Sequence, residues 1–171
     1  MKKIFVTMIW VFVSVICYAD DLYSTSNEKI TDSYAIFFHK IINSNEKDFK
    51  QIKLGLAESF ANVESVIKFE DSDLGIFKGS GNCGDGYNFY GGGNMFVKIN
   101  FDDYIPPTGF DFNIKLNGDV VTITFDNYKN LYFSSKYFTK KQLLKINAPR
   151  KSLLNSTIRS IAERIFNEVD N

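Results

Sequence analysis

The sequence predicts an α+β domain of two layers, a curved antiparallel sheet with two helices packed on one face. Three observations predict it. Several short segments alternate apolar and polar residues, and the clearest pair, FDFNIKL at 110–116 and DVVTITF at 119–125, flanks Asn117-Gly118, a strong hairpin signal. Only two long segments, one after residue 45 and one after residue 152, repeat apolar residues at helical steps. Each of those helices needs an apolar surface to cover, and one face of a single sheet serves both.

Residues 1–19, MKKIFVTMIWVFVSVICYA, have the form of an export signal: Lys2 and Lys3, an apolar run over 4–16, then small residues where a signal peptidase reads. That run is shorter than the roughly 20 residues needed to span a bilayer, and no later segment approaches that length. The sequence therefore predicts export to the periplasm or beyond, cleavage before Asp20, and no transmembrane segment in the mature chain. Cys17 follows Val15 and Ile16 rather than a small residue, which disfavours lipidation there. A polar lead is expected over 20–33 and one domain over 34–171.

Within that domain, YAIFFHKII at 34–42 reads as a strand ended by Asn43-Ser44-Asn45. Ser44 or Asn45 is positioned to cap a helix on which Phe49, Ile52, Leu56 and Phe60 share a face, with Gly55 a mild weakness in it. SVIKFE at 65–70 and IFKGSG at 76–81 alternate about the acidic turn 71–75 and read as a hairpin. MFVKINF at 95–101 reads as another strand, and Pro106-Pro107-Thr108-Gly109 as a turn before the strand at 110. NLYFSSKYF at 130–138 is a candidate short strand, and TKKQLLKI from Thr139 a helical turn or two before Pro149. From Ser152, the residues Leu154, Ile158, Ile161, Ile165 and Val169 recur at helical steps and close the fold.

The segment from Glu64 to Asn82, ESVIKFEDSDLGIFKGSGN, with the preceding strand and helix, resembles a family of secreted bacterial proteins of unknown function with a TATA-box-binding-protein-like fold. The order of elements agrees over roughly 34–169. The resemblance implies a curved sheet with helices on one side and an exported protein; it implies no activity and no functional residues, and a fold name is no evidence for DNA binding.

Charge narrows the partners. Lysine plus arginine and aspartate plus glutamate each number 20, and loss of Lys2 and Lys3 leaves a slight acidic excess. With no basic excess to neutralise phosphates, nucleic acid is not an expected partner. Cys83 is the only cysteine outside the signal, which excludes an internal disulfide.

Residues 79–94, GSGNCGDGYNFYGGGN, hold seven of the eleven glycines and open with G-x-G-x-x-G. A dinucleotide fingerprint must lead into a helix, whereas here another strand follows, so a connection between strands is the reading. Asp71, Asp73 and Gly75 imitate the start of a calcium loop, but Asn82 stands where the bidentate acid belongs. Neither cofactor nor metal is expected. The lone histidine, His39, could meet Cys83 as base and nucleophile, and carboxylates such as Asp102 with Asp111 or Asp126 could pair; these make a small envelope hydrolase the alternative. No convergent catalytic set stands out, and the favoured reading is a non-catalytic exported binding domain for a protein, peptide or glycan. Its expected contacts are Tyr87, Phe89 and Tyr90 in the glycine-rich segment, with the open face of the sheet as a second candidate surface.

Overall fold

The computed structural model describes residues 26–42, 44–45, 47–84, 87–90, 102–134 and 138–171. Its elements are β1 (Ser26–Ile30), β2 (Ala35–Lys40), α1 (Asp48–Ser59), α2 (Val63–Val66), β3 (Ile67–Asp71), β4 (Ile76–Cys83), β5 (Tyr87–Tyr90), β6 (Asp102–Ile105), β7 (Thr108–Asn117), β8 (Val120–Lys129) and α3 (Lys140–Val169). Six strands form one antiparallel sheet in the order β1-β2-β8-β7-β4-β3, and β5 pairs with β6 in a separate ribbon. The helices pack on one side of the curved sheet, so the fold is the two-layer α+β class that the alternation predicts.

The core lies between those layers. Alternate residues of the four central strands face it: Ala35 and Phe37 of β2, Val121, Ile123 and Phe125 of β8, Phe110, Phe112 and Ile114 of β7, and Phe77 of β4. Opposite them are Ile52 and Leu56 of α1 and Leu154, Ile158, Ile161 and Ile165 of α3. Burying each large apolar side chain stabilises the fold by about 1.5–3 kcal/mol, and aromatic stacking adds to it, as where Phe49 of α1 lies over Phe77 at 4.2 Å.

The G-x-G at the start of the glycine-rich segment is a packing device. Gly79 and Gly81 occupy core-facing positions of β4, which runs two residues past the expected end. A Cβ at Gly81 would lie 2.7 Å from the Phe110 ring and 2.8 Å from that of Phe60; one at Gly79 would meet the Phe112 ring and the Val66 carbonyl. Absent side chains in β4 make room for rings from its neighbours.

Several local expectations are corrected. Part of the polar lead forms β1, an edge strand whose register sets Glu28 opposite Phe37, on the helix side, where Arg159 of α3 donates to its carboxylate at 2.6 and 3.0 Å. Neither Ser44 nor Asn45 caps α1. Lys47 is the N-cap residue, and the buried Asp48 instead accepts bonds from the Ser44 hydroxyl and the Asn45 amide. The strand expected from Ser65 begins at Ile67, because Asn62 caps a single helical turn by accepting from the Ser65 amide. The β7–β8 turn places Gly118 and Asp119 between the paired Asn117 and Val120, with Gly118 at φ 62°, as a II′ turn requires at its first central residue. Residues 131–134 form no strand, and the strand expected at 95–101 lies outside the described residues.

The largest correction is α3, a single helix that runs through Pro149. A capping box of Thr139 and Gln142 starts it. Pro149 and Lys145 are both exposed, so the carbonyl that proline leaves without a partner can bond to water. The next residue, Arg150, is buried and donates to the carbonyls of Leu131, Pro106 and Asn130, tying the helix to the chain on either side of β7 and β8.

Candidate functional site

The structure separates the two residues of the candidate nucleophilic pair. His39 on β2 and Cys83 on β4 are three strands apart and at opposite ends of the register, roughly 14 Å across the sheet and 26 Å along it. His39 is buried, stacked on Phe166 at 4.7 Å, with Nε2 2.8 Å from an Asp170 carboxylate oxygen at the end of α3. That contact fastens the last turn of α3 to β2. Cys83 is buried, and its burial pushes the thiol pKa up, only partly opposed by Arg150. The reactive thiolate is correspondingly scarce.

The acidic turn is also structural. Asp71 Oδ1 accepts from the amides of Asp73 and Leu74 at 3.0 Å, an Asx turn that closes the β3–β4 hairpin. Among the described residues, no group of three or more His, Cys, Asp or Glu side chains is placed to hold a metal ion.

Tyr87, Phe89 and Tyr90 fall on β5, a strand rather than an irregular loop, paired with β6 in the register Tyr87↔Ile105, Phe89↔Asp103 and Tyr90↔Asp102. The chain leaves β4 at Cys83 to enter this ribbon and returns from it to β7 at Thr108. The ribbon is thus rooted where β4 and β7 are paired.

The face of the sheet away from the helices is built from the other alternate residues. Register defines its rows: Lys29-Ile36-Thr124-Asn113-Lys78-Phe69 runs across all six strands, and Phe38-Thr122-Lys115-Ile76-Asp71 across five. Phe38 and Phe69 are large aromatics left 43% and 47% exposed near the two ends of these rows. Lys78 and Lys115 stand at diagonal positions of β4 and β7, about 7 Å apart by strand geometry. Neither forms an ion pair among the described residues.

At the end of this face nearer the ribbon is a hydrogen-bonded cluster that two bulges assemble. Lys68 is the extra residue of β3 between Ile67 and Phe69, and it donates to the Ser80 hydroxyl at 2.5 Å. Ser80 donates to Asp111 Oδ1 at 2.6 Å, and Asn127 donates to Asp111 Oδ2 at 2.5 Å. Asn127, at φ 50°, lies in a bulge of β8, where three steps from Asp126 to Lys129 match two from Asp111 to Gly109. The bulge reverses the alternation beyond it, sending Tyr128 into the core and Lys129 outward, 3.6 Å from Asp111.

The hydrogen bonds from Ser80 and Asn127, then the charges of Lys129 and Lys68, hold the Asp111 carboxyl below the usual carboxylate range. A carboxylate so satisfied is a weak base, and Asp111 is unsuited to activating Ser80. Asp126 is the cross-strand partner of Asp111, their Cα atoms about 5 Å apart, while Asp102 lies on β6 in the ribbon.

At the margin of this face, an open pocket of about 310 Å3 lies along the outer edge of β3, bordered by Lys53 of α1, Val63 of α2 and Phe69. The Lys53–Glu70 ion pair, at 2.9 Å, crosses it. No helix among the described residues is long and apolar enough to cross a membrane. No family model matches the chain, and no curated protein sequence matches it.

Proposed function

We propose that this chain is an exported, non-catalytic binding module of the bacterial envelope, with a TATA-box-binding-protein-like sheet whose helix-free face is the ligand surface. One observation carries the reading. The helices cover a single face, and the other presents Phe38, Phe69, Lys78 and Lys115 to solvent in a fixed register. The paired strands fix the backbone positions of these side chains, so less ordering entropy is lost on contact than for a surface borne on a loop. Tyr87, Phe89 and Tyr90, on the ribbon rooted at one end of this sheet, are proposed to extend the contact. The signal-like residues 1–19 support export.

Binding screens of the mature chain against glycan and peptide arrays, repeated with two variants, test the reading. Phe38→Ala with Phe69→Ala should weaken retained ligands, and a Tyr87, Phe89, Tyr90 triple serine variant should weaken them less. Ligands lost only in the triple variant would transfer the site to the ribbon. A hydrolytic activity abolished by Cys83→Ala or His39→Ala would replace the reading with the enzymatic alternative.

A further inference from the structure

We infer that the ligand of the open sheet face is an acidic polysaccharide, a sugar polymer bearing carboxylate or sulfate groups; the inference rests on that face being the binding surface. The charge distribution points to it. The described strands place Lys29, Lys40, Lys68, Lys78, Lys115 and Lys129 on this face, against Asp71, Asp111 and Asp126. Lys40 is paired with Asp119 of the adjoining turn and Lys129 with Asp111, which leaves Lys29, Lys68, Lys78 and Lys115 against Asp71 and Asp126. Acidic and basic residues balance over the whole chain, so the positive excess is local to this face. Such a face attracts polyanions from a distance within the reach of screening.

The groups between the lysines decide which polyanion. Thr122, Thr124 and Asn113 sit in the middle of the two rows and offer donors and acceptors of the kind sugar hydroxyls need. Phe38 and Phe69 give flat apolar surface near the ends of the rows, suited to the C–H faces of sugar rings. A protein partner is disfavoured because lysine is depleted from the buried centres of protein interfaces, and here Lys78 and Lys115 are central. Nucleic acid is disfavoured because the excess on this face is small and the chain has no overall basic balance with which to neutralise a dense phosphate backbone.

The test is titration of the mature chain with polygalacturonate and with dextran sulfate, which separate carboxylate from sulfate recognition, using neutral dextran as control. Binding to at least one acidic polymer, weakened by salt and absent for dextran, is expected. Replacing Lys78 and Lys115 together by Gln should weaken it about tenfold, while replacing Lys140 and Lys141 at the start of α3 should leave it unchanged. Three results would overturn the inference: no acidic polymer bound, equal loss in both lysine pairs, or tighter binding of polyglutamate or a single-stranded oligonucleotide of matched charge. In each case Phe38→Ala with Phe69→Ala distinguishes a wrong ligand class from a wrong surface. Loss of whatever ligand does bind would leave the face as the site and the polysaccharide class wrong; no effect would remove the face itself.

Discussion

Gly55→Ala sets two effects of opposite sign against each other. In an exposed helix, replacing glycine by alanine is stabilising by about 1 kcal/mol through propensity alone. Gly55, however, is buried where α1 crosses α3, and a Cβ there would lie 2.7 Å from the Ile165 Cα and 3.1 Å from its backbone nitrogen. Ordinary carbon contacts begin near 3.5 Å, so the helices would have to separate by roughly 0.8 Å, and backbone atoms cannot rotate away. Overpacking of this kind costs about 1–3 kcal/mol, and a backbone obstacle belongs at the upper end of that range. The net expectation is destabilisation by about 1–2 kcal/mol, a fall in Tm of roughly 2–8 °C for a domain of this size. Calorimetry and urea unfolding of residues 20–171 measure it. An increase in Tm would refute the close helix approach, and with it the packing of both helices on one face.

Other predictions concern buried and half-buried polar groups. The Tyr128 hydroxyl is buried with no hydrogen-bond partner among the described residues, and its pKa is pushed up to about 12 by burial and by Asp126. Tyr128→Phe should therefore stabilise the fold by about 1 kcal/mol. Because the folded pKa is raised, the wild type's stability from this group is fully present below about pH 10 and lost as pH rises towards about 12; the variant should lack that share of the alkaline loss in urea titrations. Asp111 has the opposite sign. Its folded pKa is lowered, so its contribution is present above the ordinary carboxylate range and lost as pH falls through the depressed value. Asp111→Asn should flatten the acid limb of stability against pH and cost no more than about 1 kcal/mol at neutral pH, given its partial exposure. Asp170→Ala should cost about 1–3 kcal/mol by leaving the buried His39 Nε2 unpaired, and hydrogen exchange should show the last turn of α3 loosened first.

How far the sequence discloses this molecule depends on whether a feature is written in apolar spacing. The central strands and the apolar faces of α1 and α3 are legible because burial imposes a period on them; Leu154, Ile158, Ile161, Ile165 and Val169 are all buried. β1 is not legible, since SNEKI has one apolar residue and joins the sheet through its backbone and the Glu28–Arg159 pair. The continuity of α3 through Pro149 is hidden because a proline normally marks a break, and only the exposure of Lys145 and Pro149 shows why it is tolerated. Gly79 and Gly81 imitate a nucleotide motif because close ring packing and phosphate approach select the same residue.

The open face was partly legible. Alternation alone turns Lys78, Asn113 and Lys115 away from the core, but it cannot show that β4 and β7 are neighbours. The cluster around Asp111 is illegible in principle, because simple alternation in β8 would send Lys129 inward. The single inserted residue at Asn127 reverses this, and bulges leave no dependable mark in one sequence.

Whether the helix-free face of the sheet holds the ligand is decided by amide-resolved NMR of residues 20–171 during titration with polygalacturonate oligomers. Shift changes are expected to concentrate at Lys78, Asn113, Lys115, Thr122 and Thr124, with α3 unaffected. Changes confined to α1 and α3, or spread evenly over every lysine of the surface, would contradict that placement of the ligand.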